Sequence, residues 1–267
     1  MPSGLLTISN SYFCNMNIPK GKKVYFASDN HLGAPTLEQS RIREKHFVAW
    51  LDAVKKDAAA IYLMGDLFDV WIEYKSVVPK GFVRVLGKLA EISDSGIPIY
   101  FFVGNHDMWM NGYFEQELGI PVFFEPQQIN LNDKTFFIGH GDGLGPGDKG
   151  YKRMKKVFRN RMIQFFYRWI HPDLGLCFAQ RLSVKNKLIS GEEDKVFAGA
   201  EKEWLAQYCE KQLQTKDIDF FVFGHRHLPL DIELSKNARY INLGDWVDYN
   251  TYAVFDGNNM KLTKWDD

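Results

Sequence analysis

Five short polar groups, each at the end of an apolar run, carry the residues of this sequence best suited to bind metal ions. In chain order they are Asp29-Asn30-His31, Gly65-Asp66, Gly104-Asn105-His106-Asp107, Gly139-His140-Gly141-Asp142 and Gly224-His225-Arg226-His227. Their mixture of carboxylates and imidazoles with an asparagine suits Mn²⁺, Zn²⁺ or Fe²⁺ better than Mg²⁺ alone. Two ions about 3.5–4 Å apart need one shared carboxylate, and Asp66 is the natural bridge because it stands alone after its glycine. The pattern predicts a two-metal site that activates water.

The elements that must position these groups are apolar strands, which the sequence predicts at 24–28, 59–64, 97–103, 134–138 and 219–223. A further strand is predicted at 239–243, and apolar periodicity predicts helices over 41–56 and 82–93. This alternation indicates a layered α/β fold with its site outside the carboxyl ends of the strands. Any single polar group could instead be an ordinary cap or turn, but five at successive strand ends favour one shared site. Two histidines, His46 and His171, lie outside the groups and are expected to be ordinary surface or helix residues.

The ordered pattern D-x-H, G-D, G-N-H-D, G-H and G-H-x-H resembles the calcineurin-like metallophosphoesterases over residues 24–246. The resemblance implies a layered α/β/β/α sandwich and two divalent metal ions, with Mn²⁺ expected and Zn²⁺ or Fe²⁺ as alternatives. It implies that one ion is bound by Asp29, His31, Asp66 and His227. It implies that the other is bound by Asp66, Asn105, His140 and His225. In such enzymes, water activated by the ions attacks phosphorus in line.

His106 follows the ligand candidate Asn105 and need not bind metal itself. It could protonate the leaving oxygen or stabilise charge on it, and Asp107 is expected to hold its tautomer. The alternative for His106 is a buried histidine that only shapes the turn.

Residues 28–33 (SDNHLG), 65–71 (GDLFDVW), 140–144 (HGDGL) and 148–151 (DKGY) resemble the branch of UDP-2,3-diacylglucosamine diphosphatases. This branch acts in lipid A synthesis and releases 2,3-diacylglucosamine 1-phosphate (lipid X) and UMP. The resemblance implies substrate contacts from Asn105, His106, Asp148, Tyr151, Lys185, Asn186 and His225. The best-known members read G-N-R-D where this chain has His106, so a metallophosphoesterase acting on a soluble nucleotide or a nucleic acid phosphodiester is the alternative. A non-catalytic binding module is the third hypothesis.

Between residues 144 and 215 the sequence no longer alternates apolar strands with helices, which predicts an inserted helical cap. The cap belongs to a domain predicted over 21–267, and residues 1–20 are predicted to be an N-terminal extension. From Gly147 to Lys187 there are eleven Lys and Arg residues against two acids. Aromatic residues and methionines recur there at helical spacing, at Tyr151, Met154, Phe158, Met162, Phe165 and Trp169. Basic residues beside an apolar face suit a helix on an anionic membrane surface; packing of that face on the domain is the alternative. The resemblance implies an amphiphilic nucleotide-sugar lipid as partner and, together with this basic and apolar surface, the inner membrane surface.

The overall composition limits the other function classes. The formal net charge of zero argues against a general polyanion binder, and no nucleic acid partner is expected. The sequence contains no apolar run of eighteen residues and no secretory signal pattern, and its three cysteines form no CxxC pair. These features predict a cytoplasmic protein. The family resemblance and the basic segment with its aromatic residues imply that it is peripheral on the cytoplasmic face of the inner membrane, and the sequence predicts no oligomeric state.

Overall fold

Two mixed β-sheets packed face to face form the centre of the computed structural model, which describes residues 15–146, 149–190, 197 and 199–266, without the side chains of 184–190. The strands are β1 (Asn15–Met16), β2 (Lys23–Ala27), β3 (Ala58–Leu63), β4 (Ile99–Phe102), β5 (Val122–Phe123), β6 (Gln127–Leu131), β7 (Lys134–Ile138), β8 (Phe220–Phe223), β9 (Pro229–Glu233), β10 (Arg239–Leu243), β11 (Thr251–Phe255) and β12 (Met260–Lys264). The α-helices are α1 (Leu37–Val54), α2 (Val83–Asp94), α3 (Tyr113–Glu117), α4 (Lys149–Phe158), α5 (Arg161–Tyr167), α6 (Pro172–Ser190) and α7 (Trp204–Leu213). Ala200–Lys202 and Ser235–Asn237 are short 3₁₀ helices.

Parallel strands occupy the centre of both sheets. The first sheet has the order β12-β11-β2-β3-β4-β5, and β2 to β5 run parallel. The second has the order β1-β6-β7-β8-β10-β9, and β7, β8 and β10 run parallel. Parallel strands place their carboxyl ends at the same edge of a sheet. The polar groups that follow β2, β3 and β4 therefore meet at one edge of the first sheet, and those that follow β7 and β8 meet at one edge of the second. The packing of the two sheets on a shared core brings the two sets together.

Side chains that alternate along each central strand build the layers. In β2, Val24 and Phe26 pack into the core between the two sheets, whereas Tyr25 and Ala27 pack towards the helices on the outer face. In β8, Val222 faces the core between the sheets and Phe221 faces α7. Because successive strand residues point to opposite faces, apolar runs without polar interruption give each sheet two buried faces. The predicted α/β/β/α sandwich is confirmed.

The outer layers are amphipathic helices. Helix α1 begins after Thr36, whose side-chain oxygen accepts a hydrogen bond from the backbone N–H of Gln39, as an N-cap residue typically does. Its face with Phe47, Trp50 and Leu51 is buried against the first sheet, together with α2. Helix α7 covers the second sheet through Leu205, Ala206, Cys209 and Leu213. Helix α7 lies within the range 144–215 predicted as a cap, but its buried face makes it part of the sandwich.

The predicted N-terminal extension over 1–20 lies only partly within the described residues. Asn15 and Met16 form the edge strand β1, which pairs in parallel with β6. The backbone N–H of Ile18 donates to Asn132 Oδ1 (2.8 Å). Residues 15–18 are therefore tied to the second sheet, and residues 1–14 lie outside the description.

The aromatic stripe of the predicted cap falls on two helices rather than one, so the single-helix interpretation was wrong. Helix α4 ends at Phe158, and Asn160 caps α5 by accepting hydrogen bonds from the backbone N–H groups of Met162 and Ile163. Arg159, at the break, donates to the backbone oxygen of Phe124 (2.7 Å). The break separates the stripe into an inner part on α4 and an exposed part on α5. None of the helices within the described residues is long and apolar enough to cross a membrane.

Candidate active site

The predicted metal ligands sit in tight turns directly after the strands. Five of the seven have a left-handed backbone: Asp29 (φ 60°), His31 (φ 44°), Asp66 (φ 54°), His225 (φ 68°) and His227 (φ 53°). Such conformations cost non-glycine residues about 1–3 kcal/mol each and persist only where surrounding structure enforces them. Backbone hydrogen bonds enforce them here, because the N–H of Asp29 donates to Gly65 O (3.0 Å) and that of His31 to Asp66 O (2.9 Å).

One group of ligand candidates surrounds Asp29. Its Oδ1 atom lies 3.3 Å from His227 Nε2 and 3.7 Å from His31 Nε2, and the two imidazole nitrogens lie 3.1 Å apart. Asp66 Oδ2 lies 3.7 Å from the same His31 nitrogen. Four predicted ligands of one ion are thus brought together.

A second group surrounds the other side of Asp66. His140 Nε2 lies 3.4 Å from Asp66 Oδ2 and 3.1 Å from Asn105 Oδ1. The ring of His225 lies 5.1 Å from that of His140, centroid to centroid. Asp66 stands between the two groups, in the position that a bridging carboxylate would need.

In both Asp29 and Asp66, one carboxylate oxygen accepts hydrogen bonds from the protein and the other remains available to a metal ion. Asp29 Oδ2 accepts from Ser28 Oγ (2.5 Å) and from the backbone N–H of His225 (2.9 Å). Asp66 Oδ1 accepts from the backbone N–H of His106 (2.8 Å). Their other oxygens, Asp29 Oδ1 and Asp66 Oδ2, are buried and have no hydrogen-bond partner among the described residues. A buried carboxylate oxygen in that state is unfavourable unless a cation compensates it, so the residues present fit divalent metal ions.

Two imidazoles are oriented by partners on their far side. His140 Nδ1 donates to the backbone oxygen of Met64 (2.8 Å), and His227 Nδ1 lies 3.2 Å from Asp245 Oδ2. Both contacts turn Nε2 towards the carboxylates, as partners of metal-binding histidines commonly do.

The charges of the site act on its histidines in opposite directions. Burial disfavours protonation of His140, but the charge and hydrogen bond of Asp66, with the charges of Asp29 and Asp142, together outweigh burial and raise the pKa of His140 to about 10. Burial and the neighbouring His140 lower the pKa of His225 to about 4, which keeps this imidazole in its neutral form. Since metal ions bind neutral imidazole, ion binding at His140 would release a proton.

Glycines allow the closest contacts between these turns. A Cβ atom at Gly104 would lie 2.1 Å from Asp66 Oδ1, and one at Gly224 would lie 2.4 Å from Asp29 Oδ2. No side chain fits at either position without displacing a carboxylate of the site, which explains why glycine precedes the polar group after β4 and β8.

His106 lies beside the ligand groups, but Asp107 does not hold it as predicted. Both oxygens of the buried Asp107 accept backbone N–H groups, from Gly104 (2.7 Å) and Leu67 (2.9 Å). Burial, with the charge of Asp66, raises the pKa of Asp107 to about 8. The ring of His106 instead contacts Asp69, whose backbone oxygen lies 2.8 Å from Nδ1. Asp107 therefore shapes the turn, and Asp69 is the residue that holds the tautomer of His106, the role predicted for Asp107.

A cavity of about 1120 Å³ connects the ligand groups to α4 and α6. Asp66, Asn105, His106, His225 and His227 line its polar end. Its apolar walls include Val70, Ile72, Met108, Trp109, Met154, Phe158, Tyr167, Phe178 and Leu182. The volume is slightly above the range of about 300–1,000 Å³ that is typical of small-molecule sites.

The remaining predicted substrate contacts are only partly described. Tyr151 lines the cavity, where its hydroxyl donates to Asp142 Oδ2 (2.6 Å), and Lys155 Nζ lies 2.6 Å from the same oxygen. Asp148 lies outside the described residues, as do the side chains of Lys185 and Asn186.

Sequence reasoning missed three residues beside the ligand groups. Asp69 lies three residues after Asp66, and this G-D-x-x-D pattern could have indicated a second carboxylate near the ligand groups. Asp245 follows Gly244 at the end of β10, the same glycine-acid sequence that marks Asp66. Ser183 on α6 carries no local signal, because only the fold brings it to Asp69 (2.9 Å).

Comparison with known proteins gives consistent results. A family model described as calcineurin-like phosphoesterase matches residues 22–229. A UDP-2,3-diacylglucosamine hydrolase of Porphyromonas gingivalis is 40% identical over 258 residues, covering 92% of this chain and 98% of the relative. Proteins of the same name from Shewanella piezotolerans and Ectopseudomonas mendocina are 28% and 29% identical, covering 90% and 89% of this chain and 97% and 96% of those relatives.

Proposed function

Because the chain belongs to the calcineurin-like phosphoesterase family of metal-dependent hydrolases, we propose that it cleaves the pyrophosphate of UDP-2,3-diacylglucosamine with two metal ions. The products are UMP and 2,3-diacylglucosamine 1-phosphate. The observation that carries this proposal is the cavity of about 1120 Å³ that joins the ligand groups to apolar walls. A substrate with a pyrophosphate at one end and acyl chains at the other matches both ends of that cavity.

The ligand groups define where the ions would be held. One ion would be bound by Asp29, His31 and His227. The other would be bound by Asn105, His140 and His225. Asp66 would bind both ions. We propose Mn²⁺, because carboxylate, amide and imidazole ligands together suit it. Such ions supply activation of a water molecule and neutralisation of charge on the phosphoryl oxygens.

His106 is proposed to handle the proton of the leaving oxygen. Its Nδ1 atom faces the backbone oxygen of Asp69, which can only accept, so Nδ1 carries a hydrogen atom. Proton transfer therefore uses Nε2. The ring lines the cavity beside Asn105 and Asp66, where a phosphoryl group bridging the two ligand groups would lie.

Tyr151, which also lines the cavity, is proposed to position substrate. Its hydroxyl is fixed by Asp142, and the same carboxylate pairs with Lys155. Tyr151 lies 6.3 Å from His225, ring centroid to ring centroid. Asp148, Lys185 and Asn186 remain proposed contacts from the sequence resemblance.

The direct test is hydrolysis by the Mn²⁺-loaded protein of UDP-2,3-diacylglucosamine, compared with UDP-N-acetylglucosamine. Burial of each methylene contributes about 0.8 kcal/mol, so six buried methylenes contribute roughly 5 kcal/mol. We expect kcat/KM to favour the acylated substrate by a factor on the order of 10³, and chelation to abolish activity. Equal activity on both, or a preference for nucleotide diesters, would contradict the proposed substrate.

Peripheral attachment to the inner membrane, on its cytoplasmic face, is part of the proposal. Helix α5 exposes Phe165 (53%), Phe166 (64%) and Trp169 just beyond its end (79%). Exposed Lys156 and Arg161 lie close to them in sequence. Large exposed apolar side chains beside basic residues suit the interface of an anionic bilayer, from which the acylated substrate must be taken.

The two parts of the aromatic stripe should be separable by mutation. Phe158→Ser, in the cavity wall, is expected to raise KM for detergent-solubilised acylated substrate about tenfold, from loss of about 1.5 kcal/mol or more of apolar burial. Phe165→Ser, on the exposed part, should leave that KM unchanged and weaken sedimentation with anionic vesicles about tenfold. Hydrolysis of bis(4-nitrophenyl) phosphate is the control for both, and an equal loss there would show that the stripe is structural core.

A further inference from the structure

Ser183 makes a polar contact between α6 and the catalytic end of the cavity. The residue is buried, with 7% of its surface exposed. Its Oγ atom donates to Asp69 Oδ2 (2.9 Å) and lies 3.3 Å from His106 Nδ1. A hydroxyl group can donate one hydrogen bond and accept others at the same time, so it can serve both partners.

The directions of these hydrogen bonds follow from the acceptors present. The backbone oxygen of Asp69, 2.8 Å from His106 Nδ1, requires the hydrogen atom to be on that nitrogen. Ser183 Oγ then accepts a second, weaker hydrogen bond from the same N–H group, and its own hydroxyl donates a hydrogen bond to the Asp69 carboxylate. The three residues form one closed arrangement that fixes the plane and the tautomer of the His106 ring.

The Asp69 carboxylate also reaches a predicted metal ligand. Its Oδ1 atom lies 3.3 Å from His31 Nδ1 and 3.7 Å from His106 Nδ1. The oxygen that Ser183 holds belongs to the same rigid carboxylate. A shift of Ser183 would therefore move the group between these two histidines.

The same face of α6 forms part of the cavity wall. Phe178, Ala179, Leu182 and Ser183 all line the cavity, at the spacing of one face of a helix. Acyl chains that fill the cavity would press on the face that carries the Ser183 hydroxyl.

We propose that Ser183 is a positioning residue that ties the orientation of His106 to the placement of α6, acting through Asp69. This inference rests on the proposed function, in which His106 acts on the leaving oxygen. Ser183 touches no reacting atom and contributes through the carboxylate and imidazole that it holds.

Ser183→Ala should lower kcat about tenfold, within the 10–100-fold range for outer partners of a site. KM should stay within twofold of the wild-type value, and both metal ions should remain. Ser183→Thr keeps the hydroxyl and should recover most of kcat. In the Zn²⁺-loaded protein, the His106 Nδ1–H resonance should shift in the alanine variant and return in the threonine variant.

A double-mutant cycle separates positioning from a general packing effect. If Ser183 acts through His106, then Ser183→Ala in a His106→Ala background should change kcat by less than twofold. Gln180→Ala, on the exposed side of α6, is the matched control and should match the wild type. An unchanged kcat in Ser183→Ala, or an equal further loss in the double variant, would overturn the inference.

Two substrates keep this test distinct from that of the proposed function. Wild-type protein that cleaves bis(4-nitrophenyl) phosphate but not UDP-2,3-diacylglucosamine would overturn the proposed substrate alone. In that case kcat of the Ser183 variants and of the wild type is compared with bis(4-nitrophenyl) phosphate as substrate, and the same loss of kcat is expected.

Discussion

Replacement of Asp66 by asparagine is expected to remove at least one metal ion per chain and to lower kcat by a factor on the order of 10³ or more. Changes to outer partners of metal sites already cost about 10–100-fold, and Asp66 lies between both ligand groups, 3.7 Å from His31 Nε2 and 3.4 Å from His140 Nε2. An amide lacks the negative charge that two cations in one buried site require. Elemental analysis and initial rates measure the two effects.

Asp217→Asn is the matched control, because Asp217 is exposed and precedes β8, whereas the ligand group follows the opposite end of that strand. It should retain two ions and the normal rate. An Asp66→Asn variant with two ions and normal turnover would mean that the metal site lies elsewhere.

His106→Ala is expected to retain both ions and to lose a factor of about 10²–10⁴ in kcat, the usual contribution of general acid–base catalysis. Metal binding should survive because His106 holds Asp66 through its backbone N–H (2.8 Å), which alanine preserves. The rate should fall because the imidazole at the cavity is gone. Metal analysis and kcat are measured on the same preparation.

His171→Ala provides the comparison, since 69% of the His171 side chain is exposed. It should match the wild type in both measurements. Loss of an ion from His106→Ala would instead make His106 a ligand.

The sequence predicts the central strands well because their signal is local. Strands β7 and β10 begin and end where apolar runs predict them, and α2 (Val83–Asp94) is displaced by one residue from its prediction. Parallel strands bring together the polar groups within each sheet, and the packing of the two sheets on a shared core brings the two sets together. Strand β12 escaped prediction because polar residues interrupt its sequence, including the exposed Lys261 and Lys264.

What the sequence could not predict depends on contacts between distant residues. Asp107 is next to His106 in the chain, yet the turn directs its carboxylate to the backbone of Gly104 and Leu67. The break at Asn160 escaped notice because the aromatic spacing continues in phase across it. Ser183 meets Asp69 across 114 residues of sequence, a distance that no periodicity reports.

The seven ligand candidates are divided between the two sheets, and this division links the supply of metal ions to the stability of the folded protein and to its lifetime in the cell. Asp29, His31, Asp66 and Asn105 follow strands of the first sheet, whereas His140, His225 and His227 follow strands of the second. Ions held by both sets would cross-link the halves of the sandwich. A ligand that binds only the folded state raises the free energy of unfolding with its concentration, by about 2.7 kcal/mol at a hundred times its dissociation constant. In a cell starved of metal, this chain would therefore lose abundance to proteolysis as well as turnover.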